Sequence, residues 1–162
     1  MTGEQLRLRE LLERLVESKI RFVLVGGLAV NAWGYLRATR DVDIVPDPDP
    51  DNLTRLAELL AGLNGRVEVE EETVAPSAIA TFLRAGDRTL VHTDLGQLDV
   101  LQGLPQVPGF AELESGAQEA DIGGLQIRVC SLEALLAMKR ASERPRDRED
   151  LEALEAGRSS GD

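Results

Sequence analysis

Asp41 and Asp43 stand two residues apart in Asp41-Val-Asp-Ile-Val45, a run that alternates polar and apolar at period two. In an extended strand that spacing sends both carboxylates off one face, while Val42 and Ile44 point the other way, toward a core. Two carboxylates so close repel each other unless a cation lies between them. Mg²⁺ takes a few carboxylate oxygens and completes its octahedron with water and substrate phosphates, so the pair reads as a Mg²⁺ half-site. Asp99, in Gln97-Leu-Asp-Val-Leu101, has the same setting between two apolar residues and is the expected third ligand. Two divalent ions held on one carboxylate rim activate an attacking hydroxyl and stabilise a departing pyrophosphate. Asp41, Asp43 and Asp99 are therefore the candidate catalytic and metal-binding set, with two Mg²⁺ ions expected and Mn²⁺ as the alternative.

Gly26-Gly27 precedes the pair, at the end of an apolar run and the start of a helical one. Glycines there let backbone approach a phosphate, and a helix N-terminus favours an anion. Each feature has a bland reading by itself. A Gly-Gly after a strand is commonly a turn, an Asp-x-Asp is commonly a solvated strand end, and a lone Asp means little. Their combination in this order is what one chemistry requires.

The elements that must position these residues are legible in outline. Leu8, Leu11, Leu12 and Leu15 fall at i, i+3, i+4 and i+7, which makes a helix with one apolar stripe. Ile20 to Val25 reads as a buried strand, Leu28 to Trp33 as a helix closed by Gly34, and Asp41 to Val45 as a second strand stopped by Pro46, Pro48 and Pro50. Leu53, Leu56, Leu60 and Leu63 mark a helix capped by Asp51 or Asn52. Expected strands follow at 66–70, 79–84, 89–93 and 98–101, with Gly86-Asp87 as a hairpin turn. Residues 105–120 read as loop with one short helix, and Leu125 to Cys130 as the last strand. Ser131 caps a helix carrying Leu132, Leu135 and Leu136, Pro145 breaks it, and a short final helix surrounds Leu151 and Leu154. This order predicts an α+β (mixed α/β) fold. One domain over residues 1–156 is expected, with 157–162 as a flexible tail.

Composition narrows the function classes. The chain has 162 residues, enough for one domain with a proper core. Its net charge of −11 disfavours broad coating of nucleic acid phosphates, while carboxylates suit cations. The basic residues are 16 Arg and the two lysines Lys19 and Lys139. A single cysteine, Cys130, excludes an intrachain disulfide and a cysteine zinc cluster, and reads as a small buried hydrophobe. No apolar run approaches the roughly 20 residues of a membrane span, and a cytoplasmic location is the expectation. His92, Trp33 and Tyr35 read as structural or packing residues.

Taken together, these motifs resemble the minimal nucleotidyltransferases of the DNA polymerase beta-like superfamily. That pattern is a hydrophobic strand, Gly-Gly or Gly-Ser, a helix, an h-Asp-h-Asp-h strand and a later h-Asp-h strand. Within it, the segment Arg37-Ala-Thr-Arg-Asp-Val-Asp43 and the stretch from Lys139 to Asp150 look like the bacterial branch that includes the AbiEii-like toxins. The resemblance implies a mixed sheet flanked by helices, with the metal site on the sheet edge. It implies transfer of a nucleoside monophosphate from an NTP to a hydroxyl of RNA, protein or a small molecule. Asp41 and Asp43 would bind both metals, and Asp99 would bind the catalytic one and help deprotonate the acceptor. Gly26 and Gly27 would cradle the triphosphate. Arg37, Thr39, Arg40 and Lys139 complete the expected nucleotide-binding set. A cognate toxin or antitoxin protein and an RNA acceptor are among the implied partners. The contrasting expectation is a non-catalytic nucleotide-sensing or partner-binding module. For Lys139 and its neighbouring arginines, the alternative is a solvated helix face paired with Glu143, Asp147, Glu149 and Asp150.

Overall fold

The leucine stripe near the N-terminus does what its spacing predicts. Helix α1 (Gly3–Glu17) buries Leu8, Leu11, Leu12 and Leu15, and a capping box between Thr2 and Gln5 starts it. The computed structural model describes residues 2–69, 72–74, 78–142 and 144–160. From α1 the chain enters β1 (Phe22–Val25), turns into α2 (Gly26–Ala32) and returns as β2 (Asp41–Pro46). Then come α3 (Pro50–Gly62), β3 (Arg66–Val69), β4 (Glu72–Val74), α4 (Ile79–Ala85), β5 (Thr89–Thr93) and β6 (Gly96–Val100). The chain ends with α5 (Phe110–Gly116), β7 (Gln118–Ile122), β8 (Leu125–Val129), α6 (Leu132–Arg140) and α7 (Pro145–Ser160).

All eight strands form one sheet in the order β4-β3-β5-β6-β2-β1-β8-β7. β2 pairs with β6 and β1 with β8 in parallel, and the other pairs are antiparallel. The mixed α/β architecture expected from the element order is therefore present. β1, β2 and β6 lie at the centre, and Val23, Leu24, Val42, Ile44, Leu98 and Val100 are fully buried there. Burying such side chains stabilises by roughly 1.5–3 kcal/mol each, which fixes the central strands rigidly beneath the acidic rim.

Several expectations are corrected. Residues 79–84 form the helix α4 rather than a strand, because Ile79 and Leu83, one helical turn apart, are the pair the core buries. Gly86 is the left-handed C-cap of that helix (φ 78°), not a hairpin turn. The hairpin turn lies instead at Asp94-Leu95, between β5 and β6. A strand, β7, occupies part of the stretch expected to be loop. It is a largely exposed edge strand without apolar alternation, and it closes on β8 through Gly123-Gly124, both at positive φ.

Asp49, not Asp51 or Asn52, caps α3 by accepting from the Asp51 N–H at 2.9 Å, and Pro50 takes the first helical position. Asn52 is buried and ties β1 to β2. It accepts from the Arg21 N–H and donates to the carbonyls of Arg21 and Asp47. The expected Ser131 cap is present, donated to by the Ala134 N–H. Pro145 begins α7 rather than breaking α6, and α7 is long, at 16 residues. It continues to Ser160, past the point where a flexible tail was expected. Residue 70, the expected end of the third strand, and Glu143 lie outside the described residues. No helix among them is long and apolar enough to cross a membrane.

Candidate active site at the ends of β2 and β6

Parallel pairing sets Asp43 directly beside Asp99, and Asp41 beside Gln97. β1 runs antiparallel on the other side and brings Val25 opposite Asp43. The three aspartates read from sequence thus share one rim. They open onto a cavity of ≈ 740 Å³ between this rim and the α6–α7 segment, lined also by Gly26, Gly27, Arg37, Thr39 and Lys139. Arg40 is exposed and is not among the residues that line the cavity.

Gly26 lines the cavity, as a phosphate cradle requires, and also makes room for Asp43. A Cβ built there would lie 2.0 Å from Asp43 Oδ2, and its backbone sits at φ +71°. Only glycine leaves room for that carboxylate and holds that conformation without strain. A Cβ at Gly27 would meet Thr39 Oγ1 at 2.8 Å and Arg37 Nη2 at 3.2 Å. The Gly-Gly pair therefore lets both the acidic rim and the Arg37–Thr39 segment close over the start of α2.

The rim is electrostatically unsatisfied. Burial, then the neighbouring Asp41 and Asp99 carboxylates, push Asp43 up from 3.8 to about 7, against the opposing pull of Lys139 and Arg88. Asp41 has one weak partner on the rim, Gln97 Nε2 at 3.5 Å. Asp99 is nearly buried and is held by the Arg88 guanidinium, with Nε 3.0 Å from Oδ1 and Nη2 2.7 Å from Oδ2. Arg88 was not among the expected site residues. Its signal lay in the hairpin register: Leu90 pairs with Asp99, so Arg88, two residues earlier, shares the face of Asp99.

The opposite wall is basic but already neutralised. Lys139 Nζ donates to Asp147 Oδ1 at 2.6 Å and lies 3.0 Å from Asp150 Oδ2. Arg37 forks onto Asp150, with Nε to Oδ1 at 2.7 Å and Nη2 to Oδ2 at 2.9 Å. Asp147 also accepts from Arg144 Nε at 2.8 Å and from the Ser142 hydroxyl. Burial opposes ionisation of Asp147, but the hydrogen bonds from Lys139, Ser142 and Arg144 outweigh it and hold its carboxyl down at about 2. The expected alternative, a solvated helix face with Asp147 and Asp150 as local partners, holds for the pairing but not for the solvation: Lys139 and both carboxylates are buried. Arg146 differs from these cations, since its contact is with the Ala38 carbonyl at 3.4 Å.

The remaining residues behave as packing predicts. Trp33 Nε1 donates to the Cys130 carbonyl at 2.9 Å, and Tyr35 packs against the core. Burial pushes the Cys130 thiol up to about 12, as for an inert hydrophobe. His92 faces Glu68 at 3.5 Å on the sheet surface, away from the cavity.

Does this donor set fit a divalent cation? Asp41 and Asp43 do: they are hard oxygen donors whose mutual repulsion a cation relieves. Among the described residues no three carboxylate, imidazole or thiol groups converge to hold a metal ion, and Asp99 is engaged by Arg88.

A family model described as "Nucleotidyl transferase of unknown function (DUF2204)" matches residues 4–161. No curated protein matches the sequence. Among solved structures, the chain is similar to the lincosamide antibiotic adenylyltransferase LnuA in its lincomycin-bound form. The TM-score is 0.65 at 20% identity, covering 96% of this chain and 97% of that one. It is similar to ANT(2")-Ia in complex with adenylyl-2"-tobramycin, with a TM-score of 0.60 at 19% identity, over 98% and 97% of the two chains. An antigenic nucleotidyltransferase-like protein from Paracoccidioides brasiliensis matches with a TM-score of 0.59 at 21% identity, over 95% of this chain and 77% of that one. At such identities the likeness shows a shared fold.

Proposed function

This chain belongs to the nucleotidyl transferase family (DUF2204) whose model spans nearly its whole length, and on that premise we propose that it moves a nucleoside monophosphate from an NTP to the hydroxyl of a small molecule, dependent on Mg²⁺. The observation that carries the reading is the Asp43–Asp99 register beside Asp41, which gathers three carboxylates and raises Asp43 to about 7. Asp41, Asp43 and Asp99 would hold the cations. Bound there, Mg²⁺ supplies charge neutralisation at the reacting phosphate and a more acidic acceptor hydroxyl.

The chain's own groups do the rest. The acceptor oxygen attacks the α-phosphorus of the NTP, and the bond from that phosphorus to the bridging oxygen of the β-phosphate breaks. Pyrophosphate leaves with the bond's electron pair. Asp99 takes the hydroxyl proton. The backbone at Gly26 and Gly27 lies close enough to the rim to border the triphosphate, while Lys139 and Arg37, locked onto Asp147 and Asp150, give the cavity a rigid facing wall.

A small-molecule acceptor is favoured by the cavity's other half. Leu101, Leu104, Val107, Leu135 and Met138 give it an apolar side of the kind that receives a drug-sized ligand. The net charge of −11 disfavours an RNA acceptor and favours a neutral or cationic one. The two similar adenylyltransferases were solved with lincomycin and with an adenylylated tobramycin, which is the same pairing of nucleotide chemistry and small hydroxylated acceptor.

The test is calorimetry of each NTP with Mg²⁺ on the wild type and on the Asp41→Asn/Asp43→Asn double variant. Micromolar binding of at least one NTP, lost in the double variant, is expected. A folded wild type that binds no NTP with Mg²⁺ would overturn the reading.

A further inference from the structure

We propose that Arg88 is a two-position residue, resting on Asp99 when the rim holds no cation and moving onto the substrate's phosphates when the cation and NTP arrive. The inference rests on the metal-dependent reading above and adds to it a residue that no motif marks.

The first observation is geometric exclusion. The Arg88 fork covers both Asp99 oxygens, at 3.0 and 2.7 Å. A divalent cation held with the help of Asp99 would need one of those oxygens, and a guanidinium and a metal ion repel each other at such range. Arg88 and the cation are therefore competitors for one carboxylate. Asp99 itself is 7% exposed at its side chain and sits in the middle of the sheet, so the moving partner is Arg88, at 53%. Arg88 precedes β5, between Gly86 and Thr89, outside the strand ladder.

The second observation is charge accounting across the cavity. A triphosphate needs cationic donors; Lys139, Arg37 and Arg144 are paired with the buried carboxylates of Asp147 and Asp150, and Arg146, which also lines the cavity, meets the Ala38 carbonyl on the wall away from Asp99. Drawing Lys139 or Arg37 away would weaken the pairing of carboxylates whose side chains are at most 3% exposed. Arg88 differs, because the group it leaves is immediately neutralised by the incoming cation. Its release is coupled to the event that creates the need for it. The guanidinium then lies at the cavity wall, charged at every accessible pH and with a fork matched to phosphate oxygens.

Two measurements of opposite sign test this. Mn²⁺ affinity is read without nucleotide, by EPR of the free ion, and ATP affinity is read at saturating Mg²⁺, on wild type, Arg88→Gln and Arg88→Lys. Loss of the competitor should tighten Mn²⁺ binding roughly five- to tenfold in Arg88→Gln, the size of a half-exposed bidentate ion pair. Arg88→Lys keeps the charge but not the fork and should also bind Mn²⁺ more tightly than wild type. ATP binding should weaken in Arg88→Gln by a similar factor and recover partly in Arg88→Lys.

A merely structural role for Arg88 would weaken both affinities together, and that result overturns the proposal. If Arg88→Lys matches wild type for Mn²⁺ while Arg88→Gln tightens, charge at a distance explains the effect and the two-position residue is rejected. Equal Mn²⁺ affinity in all three proteins also rejects it, with the metal-dependent reading left standing. Absence of Mn²⁺ binding in all three, with Asp41→Asn/Asp43→Asn no different, removes the metal-dependent reading and this inference with it.

Discussion

The cavity has two charged walls built on opposite plans. On the rim of the central strands β2 and β6, Asp41, Asp43 and Asp99 crowd together with Arg88 as their close cation, and Asp43 is driven up to about 7. Across from them, Asp147 and Asp150 are more deeply buried than Asp41 and Asp43, yet Lys139, Arg37 and Arg144 surround them and Asp147 is held down at about 2. The same residue type is strained in one place and satisfied in the other. The difference lies in what each wall lacks. The α6–α7 wall is internally complete and acts as a staple between the Arg37 segment and the C-terminal helices. The rim is short of positive charge, which is the condition of a site that takes its cation from outside.

The largest way to sharpen that contrast is Asp43→Asn. It should lower nucleotidyl transfer by roughly 10³-fold or more, because several kcal/mol of charge stabilisation at the reacting phosphate is lost. It should not destabilise the fold, since the group removed is strained. Turnover with any accepted NTP, read beside a urea unfolding midpoint, checks both halves. A large drop in midpoint would mean that Asp43 is structural and the contrast false.

Next in size is Asp150→Ala. It leaves Arg37 and Lys139 as buried cations without a shared partner, and should cost about 3 kcal/mol of stability. The side chain is fully buried, so solvent cannot compensate. Urea unfolding measures the cost. A change no larger than that of an exposed ion pair would show the second wall to be as loosely held as a surface cluster.

The smallest effect is in the pH dependence, where the two walls should pull in opposite directions. Asp43 is raised from 3.8 to about 7, so the folded state holds a proton that the unfolded chain releases. Its contribution to stability is full below about pH 4 and is lost as pH rises toward 7. Asp147, lowered to about 2, contributes above its unfolded value of 3.8 and loses that contribution as pH falls toward 2. Stability without divalent ions should therefore decline between pH 4 and 7, by roughly 1–2 kcal/mol after discounting for solvent screening. Asp43→Asn should flatten that decline and leave the acid limb unchanged. An unaltered slope in the variant would assign the decline to another group.

How much of this was readable in advance follows from which interactions are local. Asp41, Asp43 and Asp99 could be read as a set because each sits in an alternating strand whose apolar residues must face the core. Their relative register was not readable, because parallel β2–β6 pairing joins residues more than fifty apart. Residues 79–84 were read with the wrong period because a short apolar run fits a strand and a buried helix equally well. Strand β7 was missed since an exposed edge carries no hydrophobic alternation.

The sequence by itself determined the mixed α/β order, the leucine stripe of α1, the acidic strand faces and the glycines before them. Those features depend on spacing within one element, and the hydrophobic periodicity of that element decides them. Only the tertiary structure decided that Gly26 makes room for Asp43, that Arg88 lies on Asp99, and that Lys139 and Arg37 are spent on Asp147 and Asp150. Each of those depends on which charge lies nearest in space. With 16 arginines and 29 acidic residues in the chain, that partner choice is set by burial and by register across the sheet, and spacing along the sequence does not encode it.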